Sequence, residues 1–204
     1  MAGNMTTQSR YSLSFTSGSL LMRESVVAAP IYLTERDWNS VRRRLEDENL
    51  LQTRTASSSQ RRSRETVQRL EVLSDPELEL LVGATSTERG HLLWTAACRR
   101  YRLIGEFAED VLRERFLLMA TQVTHEDFDA FIREKALWHE EVADLKESTL
   151  TKLRATLFRM LIEAGLLSDD WRIQQVLLSD RVLALLDQRS PTDVRFFPTK
   201  EGAV

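Results

Sequence analysis

Apolar residues recur at intervals of three and four along most of this chain, which is the spacing of one face of an α-helix. Only 7 Gly and 4 Pro interrupt the pattern in 204 residues, so strands have little sequence left to occupy. The pattern predicts an all-α fold. We expect two packed helical subdomains, residues 1–147 and residues 148–189, followed by a tail of residues 190–204.

Residues that begin or end helices set the expected boundaries. Ser57 and Gln60 have the spacing of a capping box, and Gly165 is a natural residue for the position after a helix. On the same reasoning we expect helices over residues 17–29 (ended or kinked by Pro30), from Thr34, from Ser57 to before Ser74, from Ser74 to Leu81, over 87–116 (broken at Gly105 if it divides), from Thr124, from Ser148 to Gly165 and from Ser179.

The C-terminal unit has the order of a winged helix or a related helix-turn-helix unit: amphipathic helix, Gly-Leu-Leu exit, short irregular segment and capped helix. In such a unit Lys152, Thr156 and Arg159 share the helix face that would look toward a DNA groove. A plain three-helix cluster has the same order and stays open as the alternative.

Composition limits where the chain works. Arg, Glu or Asp interrupts every apolar run well before the roughly 20 residues that span a bilayer, so no membrane segment is expected. No signal-type apolar block follows the polar residues 1–10, and Cys98 is the only cysteine, which rules out an intramolecular disulfide. These features predict a soluble protein of the cytoplasm.

The usual parts of catalytic and metal sites are missing from the sequence. His91, His125 and His139 form no ligand pair at i, i+4, so a zinc site is not expected. No phosphate loop, dinucleotide fingerprint or serine-nucleophile elbow occurs. Cys98 has small apolar neighbours, which favours a core side chain over a reactive thiol. We therefore predict a non-enzymatic protein that uses no metal and no cofactor.

The net charge of −3 hides an uneven distribution. Residues 10–69 contain 11 basic and 7 acidic residues, a net charge of +4; residues 70–147 contain 9 and 17, a net of −8; residues 148–204 contain 8 and 7, a net of +1. Of the 28 basic residues 24 are Arg. A planar guanidinium suits phosphate, although a GC-rich genome also favours Arg over Lys.

The start of the third helix is the best candidate for a phosphate site. Hydroxyl groups and free backbone N–H groups meet there, and Arg61, Arg62, Arg64 and Arg69 follow on the outward half of the helix. Glu65 is the only acidic residue among them, which favours contact with phosphate. A solvated helix with ion pairs is the alternative.

Two other arginine runs lead to different expectations. Three arginines at 42–44 precede three acidic residues at 46–48, at spacings that allow neutralising pairs. Arg99, Arg100 and Arg102 lie on a helix whose other side carries the predicted core, so at least two should reach the surface and extend a basic groove.

Several segments, in order, resemble the BrxA family of BREX (bacteriophage exclusion) defence systems. They are residues 12–21 (SLSFTSGSLL) with Glu24 and Ser25, residues 49–55 (NLLQTRT), residues 93–102 (LWTAACRRYR), and residues 152–154 (KLR) with 165–167 (GLL). The resemblance covers nearly the whole chain. It implies a cytoplasmic, helical, non-enzymatic protein that acts beside a methyltransferase, an ATPase and a phosphatase-like partner and that binds double-stranded DNA.

Three functions remain open at this point. The leading one is a sequence-tolerant binder of double-stranded DNA; the others are an adaptor for defence components, docking through Trp138 or Trp171, and an RNA binder, because an older comparison likens the family to the helical bundle of NusB. The expected DNA-contacting residues, chosen from the pattern alone, are Arg54, Thr55, Ser57, Ser58, Arg61, Arg62, Arg64, Arg99, Arg100, Arg102, Lys152 and Arg159.

Overall fold

The computed structural model describes residues 10–15 and 18–200. Within these ranges the regular structure is helical apart from two isolated bridges, so the predicted all-α class is confirmed. The elements are α1 (Met22–Glu35), α2 (Trp38–Asp47), α3 (Ala56–Leu70), α4 (Asp75–Gly83), α5 (Ser86–Arg100), α6 (Arg102–Phe107), a π-helical segment (Ala108–Arg113), α7 (Glu114–Leu117), α8 (His125–Ala136), α9 (Glu140–Ala143), α10 (Glu147–Glu163), α11 (Asp180–Leu186) and a 3-10 turn (Asp193–Phe196).

Capping residues begin several helices where the sequence predicts them. Ser74 precedes α4 and Thr124 precedes α8, and each forms a capping box with the acidic residue three positions later. Ser179 precedes α11. After α10, Gly165 has a φ of 72°, a conformation that residues with a side chain rarely adopt. These predicted boundaries are confirmed to within one or two residues.

The first two helices differ from the prediction. Helix α1 runs through Pro30 rather than ending before it, and Ser17, the expected first residue, lies outside the described residues. Thr34 is not a cap, because its hydroxyl donates to the carbonyl of Pro30 at 3.0 Å inside the helix. Asp37 caps α2 instead. Packing of α1 against the core offsets the backbone hydrogen bond that Pro30 removes.

The long central helix breaks at Tyr101 and not at Gly105. Tyr101 has an extended backbone, its ring is buried, and its hydroxyl lies 2.5 Å from a carboxylate oxygen of Glu65. Gly105 serves the approach of α6 to α5, because a Cβ at this position would lie 3.0 Å from the carbonyl oxygen of Cys98. Cys98 is buried, as predicted, and burial raises the pKa of its thiol.

Residues 190–200, part of the expected tail, pack into the core. Phe196 and Phe197 are 4% and 0% exposed. The indole Nε1 of Trp94 donates to the carbonyl of Phe196 at 2.9 Å, and Arg113 donates to the carbonyl of Val194 at 3.0 Å. This stretch therefore closes the core around α5 rather than extending away from it.

Two isolated antiparallel bridges tie together short segments near α8 and α10. Gln122 pairs with Arg172, and Leu167 pairs with Ile173. The order along the chain is therefore helix, bridge segment, further helices and a bridged hairpin, which is the order of a winged-helix unit. That order begins upstream of residue 148, and the division of the chain at residue 147 stays a prediction.

Candidate nucleic-acid interface

The start of α3 is capped by Thr55, one position before the first helical residue. Its hydroxyl accepts the backbone N–H of Ser58 at 3.1 Å and lies 2.9 Å from the Ser58 hydroxyl. Ser57 is exposed beside this pair. The Thr55 side chain accepts a hydrogen bond only from the N–H of Ser58. The N–H groups of Ala56 and Ser57, at the N-terminus of the helix, therefore have no intrahelical partner. A capped helix start of this kind can accept an anion.

The arginines of this region are exposed and mostly without acidic neighbours. Arg54, Arg61 and Arg64 form no ion pair with any residue in the described ranges. Arg62 is paired with Glu24 at 2.5 Å, a contact between α3 and α1 that leaves about half of the Arg62 side chain exposed. Arg69, expected on the outward half of the helix, is instead buried at 1% exposure and paired with Glu65 at 2.8 Å. The prediction that local acid is too scarce therefore holds for Arg54, Arg61 and Arg64 but not for Arg62 and Arg69.

Two adjoining clefts run beside α3. The larger has a volume of about 850 Å³ and lies between α1, residues 50–54 and α3. The smaller has a volume of about 350 Å³ and lies between α3, Arg100 and the residues Ser14, Gly18 and Leu21. Arg61 and Arg62 line both clefts. The two concavities therefore meet along one arginine-bearing edge of α3.

Arg99 lies inside the protein, where it cannot meet a duplex. Its guanidinium is 6% exposed and donates to Glu77 at 2.5 and 2.7 Å and to Asp193 at 2.7 Å. Burial opposes ionisation of Glu77, but hydrogen bonds from Arg99 and from the backbone of Ser74 overcome it and hold the pKa of Glu77 below its ordinary value. Arg99 is thus the centre of a buried ion cluster.

Arg100 and Arg102 have separate surroundings. Arg100 lines the smaller cleft, donates to Gln68 at 3.3 Å and lies 5.4 Å from the ring centroid of Tyr101. Arg102 is held by Glu106 at 2.6 Å and lies over the ring of Tyr11. Only Arg100 of this run therefore joins the arginines of α3.

Helix α10 presents Lys152 and Arg159 on its exposed side, two turns apart. Thr156, expected between them on the same face, is 4% exposed and belongs to the core. Arg159 lies 3.5 Å from the carbonyl oxygen of Gly18, which borders the smaller cleft. Arg159 is thus close to the α3 surface, whereas Lys152 lies roughly 10 Å farther along α10.

Two of the three arginines of α2 are neutralised as predicted, whereas Arg43 forms no ion pair within the described residues. Arg42 lies 3.6 Å from Glu46, and Arg44 lies 3.1 Å from Glu48 and 2.9 Å from Glu35. The Glu46 and Glu48 contacts each join residues four positions apart, which is why the spacing in the sequence could predict them, whereas the Glu35 contact reaches back to the end of α1.

Sequence reasoning missed Arg23, Gln52 and Glu163, which line the larger cleft. Neither Gln52 nor Glu163 could be recognised from the sequence. The geometry of the loop before α3 brings Gln52 to the cleft, and the packing of α10 brings Glu163 there. Arg23 gave a weak signal in the sequence. It lies in the first turn of α1, where the helix dipole disfavours a cation, so its charge does not stabilise the helix.

The described residues contain neither a metal-binding cluster nor a helix suited to cross a membrane. In ranges 10–15 and 18–200, no three His, Cys, Asp or Glu side chains are arranged to hold a metal ion. None of the helices within those ranges combines the length and apolarity that crossing a membrane requires.

Comparison with known proteins gives consistent matches over most of the chain. The family model BrxA matches residues 9–190. The chain is similar to the BREX protein BrxA of Paramagnetospirillum magneticum, with 28% identity over 187 residues, 89% of this chain and 92% of that protein. It is also similar to the BREX protein BrxA of Escherichia coli O9:H4 (strain HS), with 24% identity over 179 residues, 87% and 84% of the two chains. The fold is similar to the crystal structure of an uncharacterized protein from Magnetospirillum magneticum, with a TM-score of 0.80 and 23% identity over 93% of this chain and 98% of that one.

Proposed function

The chain belongs to the BrxA family of BREX phage-defence systems, and from that premise we propose that it is a cytoplasmic, non-enzymatic protein that binds double-stranded DNA. The observation that carries the proposal is a set of exposed arginines at the start of α3. Arg54, just before the helix, and Arg61 and Arg64 on it have no acidic partner among the described residues. Such side chains repel one another until an anion neutralises them. A duplex backbone supplies closely spaced phosphates for that purpose.

In the proposed complex the start of α3 and its arginines hold phosphates, and other groups extend the contact. The contacting set is Arg54, Thr55, Ser57, Ser58, Arg61, Arg62 and Arg64, with Arg100 and Arg159 at the neighbouring cleft and Lys152 as a more distant contact on α10. Arg99 and Arg102 leave the expected set, because the first is buried between carboxylates and the second is held by Glu106. Contacts with phosphate carry no direct sequence information, so the binding is sequence-tolerant.

A mobility-shift titration of one duplex across a series of salt concentrations tests the proposal. Release of counterions from the neutralised phosphates predicts that log affinity falls linearly with log salt, with a slope of about −0.9 for each phosphate contact. Absence of binding to any duplex at low salt would exclude the proposal. Competition by single-stranded RNA that exceeds competition by duplex DNA would favour the RNA-binding alternative.

A second candidate function is an adaptor for other BREX components, namely the methyltransferase, the ATPase and the phosphatase-like protein. The observation that favours it is the pair Leu137 and Trp138, which are 74% and 77% exposed at the end of α8. Exposed carboxylates of Glu134, Glu140 and Asp144 surround this pair in sequence. Trp171, the other aromatic expected to dock, is half-buried, and its ring centroid lies 4.2 Å from that of His125 in a tilted arrangement.

The adaptor function is tested by co-purification of each named component with the wild-type protein and with the Trp138→Ala variant after nuclease treatment. The adaptor predicts a complex that survives nuclease and is lost in the variant. A complex that disappears with the nucleic acid would assign the association to DNA instead.

A further inference from the structure

The larger cleft has features that duplex binding at its rim does not use. One wall is apolar. It is formed by Met22 and Val27 of α1 and by Leu50 and Leu51 of the loop between α2 and α3, all half-buried against the core. A phosphate contact needs no such wall. The volume of about 850 Å³ falls within the usual range for small-ligand sites, roughly 300 to 1,000 Å³.

The same cleft is also lined by cations. Arg23, Arg54 and Arg61 line it, and none of them forms an ion pair within the described ranges. Its two carboxylates are already engaged: Glu24 by Arg62 at 2.5 Å, and Glu163 by the backbone N–H of Leu20 at 2.8 Å. The cleft therefore joins an apolar wall to three arginines that form no ion pair, and its lining stays cationic because four arginines, Arg62 included, outnumber its two carboxylates.

The loop that carries the apolar wall is held in a fixed shape. Asn49 and Gln52 both have left-handed backbones, with φ of 46° and 50°, which residues with a side chain adopt at a cost. The Asn49 side chain holds the loop from within, accepting the N–H of Thr53 at 3.0 Å and donating to its carbonyl at 3.1 Å. The turn thereby directs Gln52 and Thr53, which can hydrogen-bond a ligand, into the lining of the cleft.

We propose that this cleft binds a nucleotide, with the base against the Leu50 and Leu51 wall and the phosphates on Arg23, Arg54 and Arg61. An apolar plane joined to several negative charges is the ligand chemistry that these two sides match. A free nucleotide and the terminal nucleotide of a nucleic-acid strand share that chemistry. The inference goes beyond the proposed function, because it does not require a duplex at the rim.

Titration calorimetry on the full chain, in buffer without divalent cations, tests the inference with five probes: ATP, adenosine, inorganic triphosphate, and a single-stranded DNA pentamer with and without a 5′ phosphate. If the ligand is a free nucleotide, ATP binds at least about tenfold more tightly than adenosine or inorganic triphosphate. If it is a strand end, the phosphorylated pentamer binds at least about tenfold more tightly than the same pentamer without its phosphate. Binding of inorganic triphosphate as tight as that of ATP and the pentamer, or no binding of any probe, overturns the inference.

Two substitutions separate the two sides of the cleft. Arg54→Gln should weaken the tighter nucleotide probe about tenfold or more, whereas Arg133→Gln, the same change at an exposed arginine of α8, should leave its affinity unchanged. Leu51→Ser should weaken the same probe without affecting any weak binding of inorganic triphosphate. Equal effects of the Arg54 and Arg133 changes contradict the site.

Measuring duplex affinity in the same samples keeps the two proposals apart. A protein that binds a duplex but no nucleotide probe loses this inference and keeps the proposed function. A protein that binds a nucleotide probe but no duplex loses the proposed function and keeps the cleft as a nucleotide site.

Discussion

The arginines of α3 and Arg99 of α5 are the same side chain in opposite situations. Arg61 and Arg64 are exposed and have no acidic partner in the described ranges, whereas Arg99 is enclosed by Glu77 and Asp193. The two situations differ in the burial of the side chain and in the number of nearby carboxylates, and not in the density of arginines along the sequence. A buried arginine with two carboxylates stabilises the fold, while an exposed one with none is available to a ligand.

The largest expected effect is loss of stability when the buried side of the comparison is broken. Arg99→Ala leaves the Glu77 and Asp193 carboxylates buried without their cation, which should lower the free energy of unfolding by about 3 to 5 kcal/mol. Urea unfolding followed by circular dichroism measures the change. A loss below about 1 kcal/mol would mean that Arg99 behaves like an exposed arginine.

The next effect concerns DNA and breaks the exposed side. Replacing Arg61, Arg62 and Arg64 together with Ala should lower duplex affinity on the order of a hundredfold at about 50 mM salt and make the salt slope shallower by about 2 to 3. The matched control is the same triple change at residues 42–44, where two arginines are already neutralised by carboxylates. Equal losses in the two triple variants would show that only net charge matters.

Acid should affect the buried cluster and spare the exposed arginines. Because the pKa of Glu77 is lower in the folded protein than its ordinary value, ionised Glu77 contributes stability above that ordinary value, and the contribution is lost as pH falls through the folded pKa. Melting temperatures measured from pH 6 to pH 3 should therefore decline less steeply for Glu77→Gln than for the wild type. Identical slopes would remove Glu77 from the acid response.

The smallest effect sharpens the exposed side. Glu24→Gln removes the carboxylate that holds Arg62, which should change the stability by less than about 1 kcal/mol because the Arg62 side chain is half exposed. The freed guanidinium should raise duplex affinity about two- to fivefold. Filter binding at low salt measures the gain, and a weaker complex would assign the Arg62 and Glu24 pair a role in shaping the site.

The sequence predicted what depends on neighbours along the chain. The caps Ser74, Thr124 and Ser179, the terminator Gly165 and the ion pairs of Arg42 with Glu46 and of Arg44 with Glu48 all involve residues within four positions of each other. Such interactions are set by helix geometry alone. The exposed arginines of α3 follow from the same reasoning, since the absence of nearby acidic residues was visible in the sequence.

Features that depend on distant residues could not be predicted. Arg99 meets Glu77 22 positions earlier and Asp193 94 positions later, so its burial has no local signal. The helix break at Tyr101 depends on packing of its ring and on Glu65 of α3, 36 positions away. Pro30 was expected to end or kink α1; the helix does not end there, because tertiary packing overrides that local preference.

The burial of residues 193–197 has a consequence for how the protein is made. Chains grow from the N-terminus, so Arg99 leaves the ribosome 94 residues ahead of Asp193, an interval of roughly 5 to 20 s at common synthesis rates. During that interval Arg99 has one of its two carboxylates, and Trp94 lacks the backbone carbonyl of Phe196. The arginine edge of α3 is thus synthesised well before the core beneath it can close, and a chain that stops short of residue 193 would present a cationic surface on an unfinished fold.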